Sequence, residues 1–240
     1  MSDILPEQNI KKHWWKKWWV WLIIIVIIWL VIASLLQVIT PNQSTNSSSG
    51  FTNIPGANSN TNKNTVNINT TNDPWLGFAE APITIVEFAD FECPFTREAV
   101  PIIQQVLKKY PEAVRLIYKD FPIAEIHSQA VAAAEAANCA QKQNKFWQYH
   151  DQLFNQGDRL NSTLYDSIAN SLGLNQVDFK RCMEGHLTLS KVQSDYSAGV
   201  EAGVSGTPTW FVNGHKIEGA LSLSMWDKVI AAALKDKFKR

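Results

Sequence analysis

The hydrophobic pattern divides the chain into three regimes: one unbroken apolar block, one long polar stretch, and a remainder in which short apolar runs alternate with helix-period patterns. The block from Trp18 to Ile39 carries no charged residue, and about 20 such residues suffice to cross a bilayer core. A cleaved signal peptide would have a shorter apolar region, of about 7 to 15 residues, and a small-x-small cleavage site. This block instead ends Ala33-Ser34-Leu35-Leu36-Gln37, which predicts an uncleaved transmembrane anchor over residues 18–39. Residues 40–73 are dominated by Asn, Ser, Thr and Gly without apolar periodicity, the composition of a flexible linker. Folding is expected from Pro74 onward.

Within that part, Ile83-Thr84-Ile85-Val86-Glu87-Phe88 reads as a buried strand. A helix is predicted from Pro94 to Tyr110, stopped by Pro111, and a second strand at Val114-Arg115-Leu116-Ile117-Tyr118. Strand, helix and strand in that order predict a parallel βαβ unit. Asp120-Phe121-Pro122 reads as a loop. From Ser128, a candidate N-cap, the pattern turns helical: Ala130–Ala140, Phe146–Phe154, Leu164–Leu172 and Val177–Met183, with breaks at Gly157 and Gly173. The β pattern returns with Gly206–Val212 and His215–Gly219 around Asn213-Gly214, a strong hairpin signal. An amphipathic helix from Ser224 to Phe238 ends the chain.

Charge sharpens the first regime. Lys11, Lys12, Lys16 and Lys17 precede the apolar block, and no Lys or Arg follows until Lys63. The positive-inside rule then places residues 1–17 in the cytoplasm and the folded part outside it. Trp14, Trp15, Trp18, Trp19 and Trp21 crowd the same end, at the depth where indole rings settle in headgroups, so the lipid bilayer is an expected partner. Overall the chain balances 22 basic against 22 acidic residues. Its folded part has no basic stripe with interleaved aromatics, so nucleic acid is not an expected partner. The three cysteines are far apart and no two histidines stand at i, i+4, so neither a metal nor a cofactor is expected. The Asn-x-Ser/Thr matches within the linker, at Asn42, Asn46 and Asn69, are what an Asn/Ser/Thr-rich linker produces by chance.

Candidate chemistry centres on Cys93-Pro94-Phe95-Thr96. It lies between the first predicted strand and its helix, so the sulfur would sit at a helix N-terminus, where free N–H groups and partial positive charge stabilise an anion. The bland alternative is a small core residue, since Cys-x-x-Thr alone is a weak pattern. Glu87 stands six residues upstream; it is either a buried acid beneath the thiol or an outward-facing surface residue.

Taken together, Phe91-Glu92-Cys93-Pro94-Phe95, Ala136-Ala137-Asn138-Cys139 followed by Phe146-Trp147-Gln148-Tyr149-His150-Asp151, and Val204-Ser205-Gly206-Thr207-Pro208-Thr209 resemble the DsbA-like branch of the thioredoxin superfamily. The resemblance covers Pro74 to Arg240. It implies an α/β thioredoxin-like fold with an inserted all-helical subdomain: thioredoxin-like parts at 74–126 and 190–240, and the insertion at 127–189. Cys93, Thr96 and Glu87 would form the catalytic set, Glu87 exchanging protons with the sulfur. Pro94, Phe95, Thr207 and Pro208 would contact substrate, Thr207-Pro208 through a cis bond set against the cysteine. It also implies a structural disulfide between Cys139 and Cys182. An odd cysteine count outside the cytoplasm fits one bridge and one free thiol, and two reduced core cysteines are the alternative. His127 falls at the subdomain junction with a possible modulating role, and His150 on an aromatic helix face as a packed residue.

Thr96 departs from the family's usual Cys-x-x-Cys. It cannot store a disulfide with Cys93, though its hydroxyl can donate a hydrogen bond to the sulfur. What remains is isomerisation or reduction through a mixed disulfide at Cys93, on secreted or membrane proteins with cysteines, with an external thiol or membrane redox protein as further partner. A non-catalytic peptide-binding or chaperone-like module is the alternative. Glutathione-dependent chemistry is disfavoured by the external location, and a peroxidase by the order of Cys93 and Thr96.

Overall fold

The computed structural model describes residues 65–237. The predicted cytoplasmic segment, the apolar block at 18–39 and the linker up to residue 64 lie outside the described residues. Among the described residues, no helix is long and apolar enough to cross a membrane.

Five strands form one sheet in the order β1-β3-β2-β4-β5. They are β1 (Trp75–Gly77), β2 (Ile83–Ala89), β3 (Val114–Asp120), β4 (Thr209–Val212) and β5 (His215–Glu218). β2 and β3 pair in parallel, with Glu87 opposite Tyr118, and helix α1 (Pro94–Lys109) crosses between them. β1, β4 and β5 add antiparallel. A central strand buried on both faces must be apolar almost throughout, and β2 is, apart from Thr84 and Glu87. β5 closes the edge with an ion pair between Lys216 and Glu218 at 2.6 Å, and charge on an edge strand discourages further pairing.

Four helices then leave the sheet: α2 (Ala130–Gln141), α3 (Phe146–Asn155), α4 (Ser162–Ser171) and α5 (Gln176–Glu184). Alanine lets α2 be buried nearly all round, and the others pack against it in one core with Tyr149, Leu153, Ile168 and Phe179. A disulfide joins Cys139 of α2 to Cys182 of α5. α6 (Leu189–Glu201) returns to the sheet and α7 (Leu223–Lys237) ends the described chain. One sheet face packs Ile83, Ile85, Leu116 and Trp210 under α1 and α7, where Trp210 and Trp226 meet edge to face at 5.1 Å. Full burial of side chains this large is worth about 1.5–3 kcal/mol each. The other face packs Phe88, Ile117 and Phe211 with Phe121, Tyr196 and the strap residues Val66 and Ile68.

Several boundaries differ from the expectation. Residues 65–73, expected in the flexible linker, lie on the fold: Val66 N–H donates to Gly214 O at 3.1 Å, and Asp73 is buried. Its carboxylate meets Lys119 at 2.8 Å and Lys191 at 2.6 Å, which ties the strap down. Of Asp120-Phe121-Pro122, read as a loop, Asp120 belongs to the strand and Phe121 and Pro122 follow it without regular structure. Phe121 is buried, its ring stacked on Tyr196 at 4.6 Å. Ser128 is not the cap of α2; Gln129 is, and its N–H is taken by the Glu92 carboxylate at 2.6 Å. β1 and α6 were not anticipated. The first is a three-residue edge strand, and the second is too polar for its period to stand out.

Candidate active site

β2 ends at Ala89, and the turn Asp90-Phe91-Glu92 delivers Cys93 to the N-cap of α1. Cys93 has extended backbone angles (φ −71°, ψ 122°), and Pro94 opens the helix; proline fits there because its fixed φ suits the first turn and its missing N–H would be unpaired anyway. Cys93 O accepts the first helical bond, from Arg97 N–H, at 3.1 Å. No side chain caps this end, so the partial positive charge of the helix start is left beside the sulfur.

Cys93 is the free cysteine, 5% exposed. Its Sγ–H donates to the backbone carbonyl of Thr207 at 3.3 Å. The Thr207–Pro208 peptide is cis, and Pro208 is buried just before β4. Pro94 is exposed, and Phe95 presents 61% of its surface to solvent. The sequence-predicted residues Cys93, Pro94, Phe95, Thr207 and Pro208 therefore converge.

Thr96 behaves differently from expectation. It is fully buried and its hydroxyl has no hydrogen-bond partner, so the bond foreseen from Thr96 to the sulfur is not made. The thiol turns to Thr207 O while the threonine, one turn along α1, points into the core. Thr207 Oγ1 is likewise buried without a partner.

Glu87 is the buried acid of the two readings, not the surface one. It is 1% exposed, and its Oε1 has no partner. Burial alone pushes its carboxyl up to about 8, because the charged form loses its hydration without gaining a cation. Tyr118, its neighbour across β2 and β3, is buried with an unpartnered hydroxyl. Burial, then the negative charges of Asp120 and Glu87, hold that phenol well above its usual range.

His150 is packed among the rings of Phe91, Tyr118, Phe146, Trp147 and Phe154. Burial holds its imidazole below the ordinary range, against the opposing pull of Asp151, 2.9 Å from Nδ1. His127 lies at the junction with Nδ1 2.8 Å from Asp90 Oδ2. Asp90 was not singled out from the sequence. The available signal was an aspartate at the end of a buried strand, able to accept the N–H two residues on, which it does at Glu92 N, 2.8 Å away. Among the described residues, no cluster of His, Cys, Asp and Glu could hold a metal ion.

With this geometry in view, the family model described as Thioredoxin matches residues 69–232. Among solved structures, a thioredoxin-like oxidoreductase from Silicibacter pomeroyi DSS-3 is 29% identical with a TM-score of 0.62, the match covering 71% of this chain and 94% of that one. Wolbachia pipientis alpha-DsbA1 is 23% identical with a TM-score of 0.63, covering 71% and 95%. Oxidised BdbD from Bacillus subtilis is 22% identical with a TM-score of 0.62, covering 70% and 96%. The last two share the fold. A curated relative, the Na(+)/H(+) antiporter NhaA 3 of Salinispora tropica, is 34% identical over 157 residues, or 65% of this chain and 24% of that protein. The chain thus spans about a quarter of the length of the curated relatives it matches.

Proposed function

Because the chain belongs to the thioredoxin family and has the fold of its DsbA-like oxidoreductases, we propose that it is a membrane-anchored, extracytoplasmic thiol–disulfide oxidoreductase of monothiol type. The carrying observation is the placement of the free Cys93 at the start of α1 with its sulfur against Thr207 O of the Pro208 loop. Cys93 thiolate attacks one sulfur of a substrate disulfide. The substrate S–S bond breaks, a Cys93–substrate disulfide forms, and the second substrate sulfur leaves as a thiolate that takes up a proton. Glu87, neutral below about pH 8, is a proton reservoir beneath that exchange. Release follows in one of two ways. Another thiol of the substrate attacks, which rearranges disulfides with no net electron change, or an external thiol attacks, and a pair of such thiols supplies the two electrons of reduction. Thr96 leaves no internal thiol to do this.

Phe95 and Pro94 supply an exposed apolar rim for an unfolded segment of a secreted or membrane protein. The Cys139–Cys182 bridge supports an oxidising compartment. The uncharged run 18–39 behind four lysines supports an anchor with the N-terminus cytoplasmic, in a bacterial-type envelope.

The test uses the full-length chain and a protein with scrambled disulfides. Wild type should accumulate a covalent adduct that reducing agent dissolves, Cys93→Ala should form none, and Thr96→Cys should shorten the adduct's lifetime by resolving it internally. No adduct with wild type, together with undiminished binding of unfolded peptide by Cys93→Ala, would replace this reading with the peptide-binding module.

A further inference from the structure

The turn that carries Cys93 is held by a second carboxylate. The Asp90 side chain is wholly buried. Its Oδ1 accepts Glu92 N–H at 2.8 Å, its Oδ2 accepts Ile123 N–H at 2.8 Å, and the same Oδ2 lies 2.8 Å from His127 Nδ1. Its backbone carbonyl accepts Cys93 N–H at 3.1 Å. With Asp90 ionised its carboxylate can only accept hydrogen bonds, which puts the His127 proton on Nδ1 and leaves Nε2 as the nitrogen that gains a proton as pH falls. The imidazole is 15% exposed, which leaves it open to solvent protons. His127 to the Asp90 carboxylate, and the Asp90 backbone carbonyl to the Cys93 amide, are two hydrogen bonds joined through the covalent skeleton of Asp90.

We propose that Asp90 and His127 form a positioning pair for Cys93, through which the protonation of His127 sets the charge beside the sulfur and the hold on its turn. The proposal rests on Cys93 being the reacting thiol. With His127 protonated the pair is neutral overall and its hydrogen bond is charge-assisted. With His127 neutral, the Asp90 charge is uncancelled and opposes a thiolate three residues on. Protonation of His127 at low pH therefore favours the reactive sulfur.

Other titratable groups surround the pair. Glu92 is engaged with Gln129 N–H. Glu125 is exposed, two residues before His127. Tyr165 bonds Gln129 through its hydroxyl, and both it and Tyr118, which feels the Asp90 charge, stay neutral throughout the range from about pH 5 to 8, burial being the first cause in each case. Glu87 ionises only toward about 8, whereas Asp120, raised to about 7 by burial, and His150, lowered by burial, also titrate within it, so the comparison of His127 variants is what isolates the pair.

The test compares His127→Asn with His127→Ala in the full-length chain, reading the rate of mixed-disulfide formation with a small aromatic disulfide. Asparagine places an amide N–H where Nδ1–H stood but cannot titrate. At pH 5.5 wild type should exceed His127→Asn by about fivefold, a charge effect of ordinary size, and the two should agree within twofold at pH 8. His127→Ala, lacking the donor, should fall about tenfold below wild type at both. Rates of both variants within twofold of wild type at both pH values would overturn the proposal. A second measurement needs no variant of the pair. The chain has three cysteines and five histidines, so amide resonances of nitrogen-labelled cysteine can be followed beside the imidazole protons. The Cys93 amide should shift along the His127 titration curve, and a Cys93 amide unmoved while His127 titrates would also overturn it. If wild type forms no mixed disulfide at all, the functional reading fails, and the resonance titration still decides whether the pair is linked to Cys93.

Discussion

Tyr118 and Lys119 are neighbours on β3, and the sheet treats the charges they face in opposite ways. Tyr118 looks toward Glu87, a carboxyl buried with no cation, which keeps its proton up to about pH 8. Lys119 points to the other face, where its ammonium meets Asp195 at 2.7 Å and Asp73 at 2.8 Å. Lys191 joins the same two carboxylates, Asp195 Oδ2 also accepts Asp120 N–H at 3.2 Å, and Asn138 Nδ2 donates to Asp120 Oδ2 at 2.6 Å. Burial is equally deep on both faces. What differs is compensation: one face keeps a carboxyl buried without a cation, and the other ties strap, strand and α6 together with paired charge.

The most severe way to break the compensated face is Lys119→Met. It leaves Asp73 and Asp195 buried with Lys191 alone, and removing one partner of a buried pair costs about 3–5 kcal/mol. Urea unfolding should register that loss, and a change below about 1 kcal/mol would mean that the cluster locks nothing. Next is Glu87→Gln on the uncompensated face. Wild-type Glu87 holds its proton in the folded state at pH values where the unfolded chain, with an ordinary glutamate near 4.3, has released it. Its contribution is therefore complete below about pH 4 and is lost as pH rises through about 8. Wild type should lose a few kcal/mol between pH 5 and 9 in urea titrations, and Glu87→Gln should lose less, keeping the slope that Asp120, raised to about 7 by burial and then by the Asp195 charge, contributes with the same sign and that His150, lowered by burial, partly opposes. An unchanged slope would contradict the burial argument. Smallest is Gly199→Ala on α6. A Cβ there would come within 2.5 Å of the Phe121 ring and 3.0 Å of the Phe88 ring, and such overpacking costs about 1–3 kcal/mol. Pushing α6 outward should loosen the paired face while leaving the Glu87-dependent slope as it was, which thermal melts at two pH values would separate.

The central strands were legible in the sequence because burial on both faces demands an almost unbroken apolar run, and Asn213-Gly214 marked the hairpin. α6 was not, because it lies over the sheet through Asp195, Tyr196 and Gly199, residues whose burial depends on partners distant in sequence. The same holds for Asp73, which reads as linker until Lys119 and Lys191 are placed beside it. At the site, Cys93 and the Thr207-Pro208 loop were readable from local motifs. The orientation of Thr96 and the part played by Asp90 were not. Each is fixed by which way a side chain turns at the end of an element, and composition does not encode that choice.

The contact between Cys93 and Thr207 spans 114 residues of chain, with the whole helical insertion inside that interval. Contacts of such separation carry a large loop-closure cost and form late. During synthesis Cys93 emerges first, then Cys139, then Cys182, and the segment that faces the first sulfur comes last. For that interval the chain carries an unguarded thiol within reach of a wrong partner. The helix contacts that bury Cys139 and Cys182 together, 43 residues apart, and the bridge between them are what withdraw those two sulfurs from competition with Cys93.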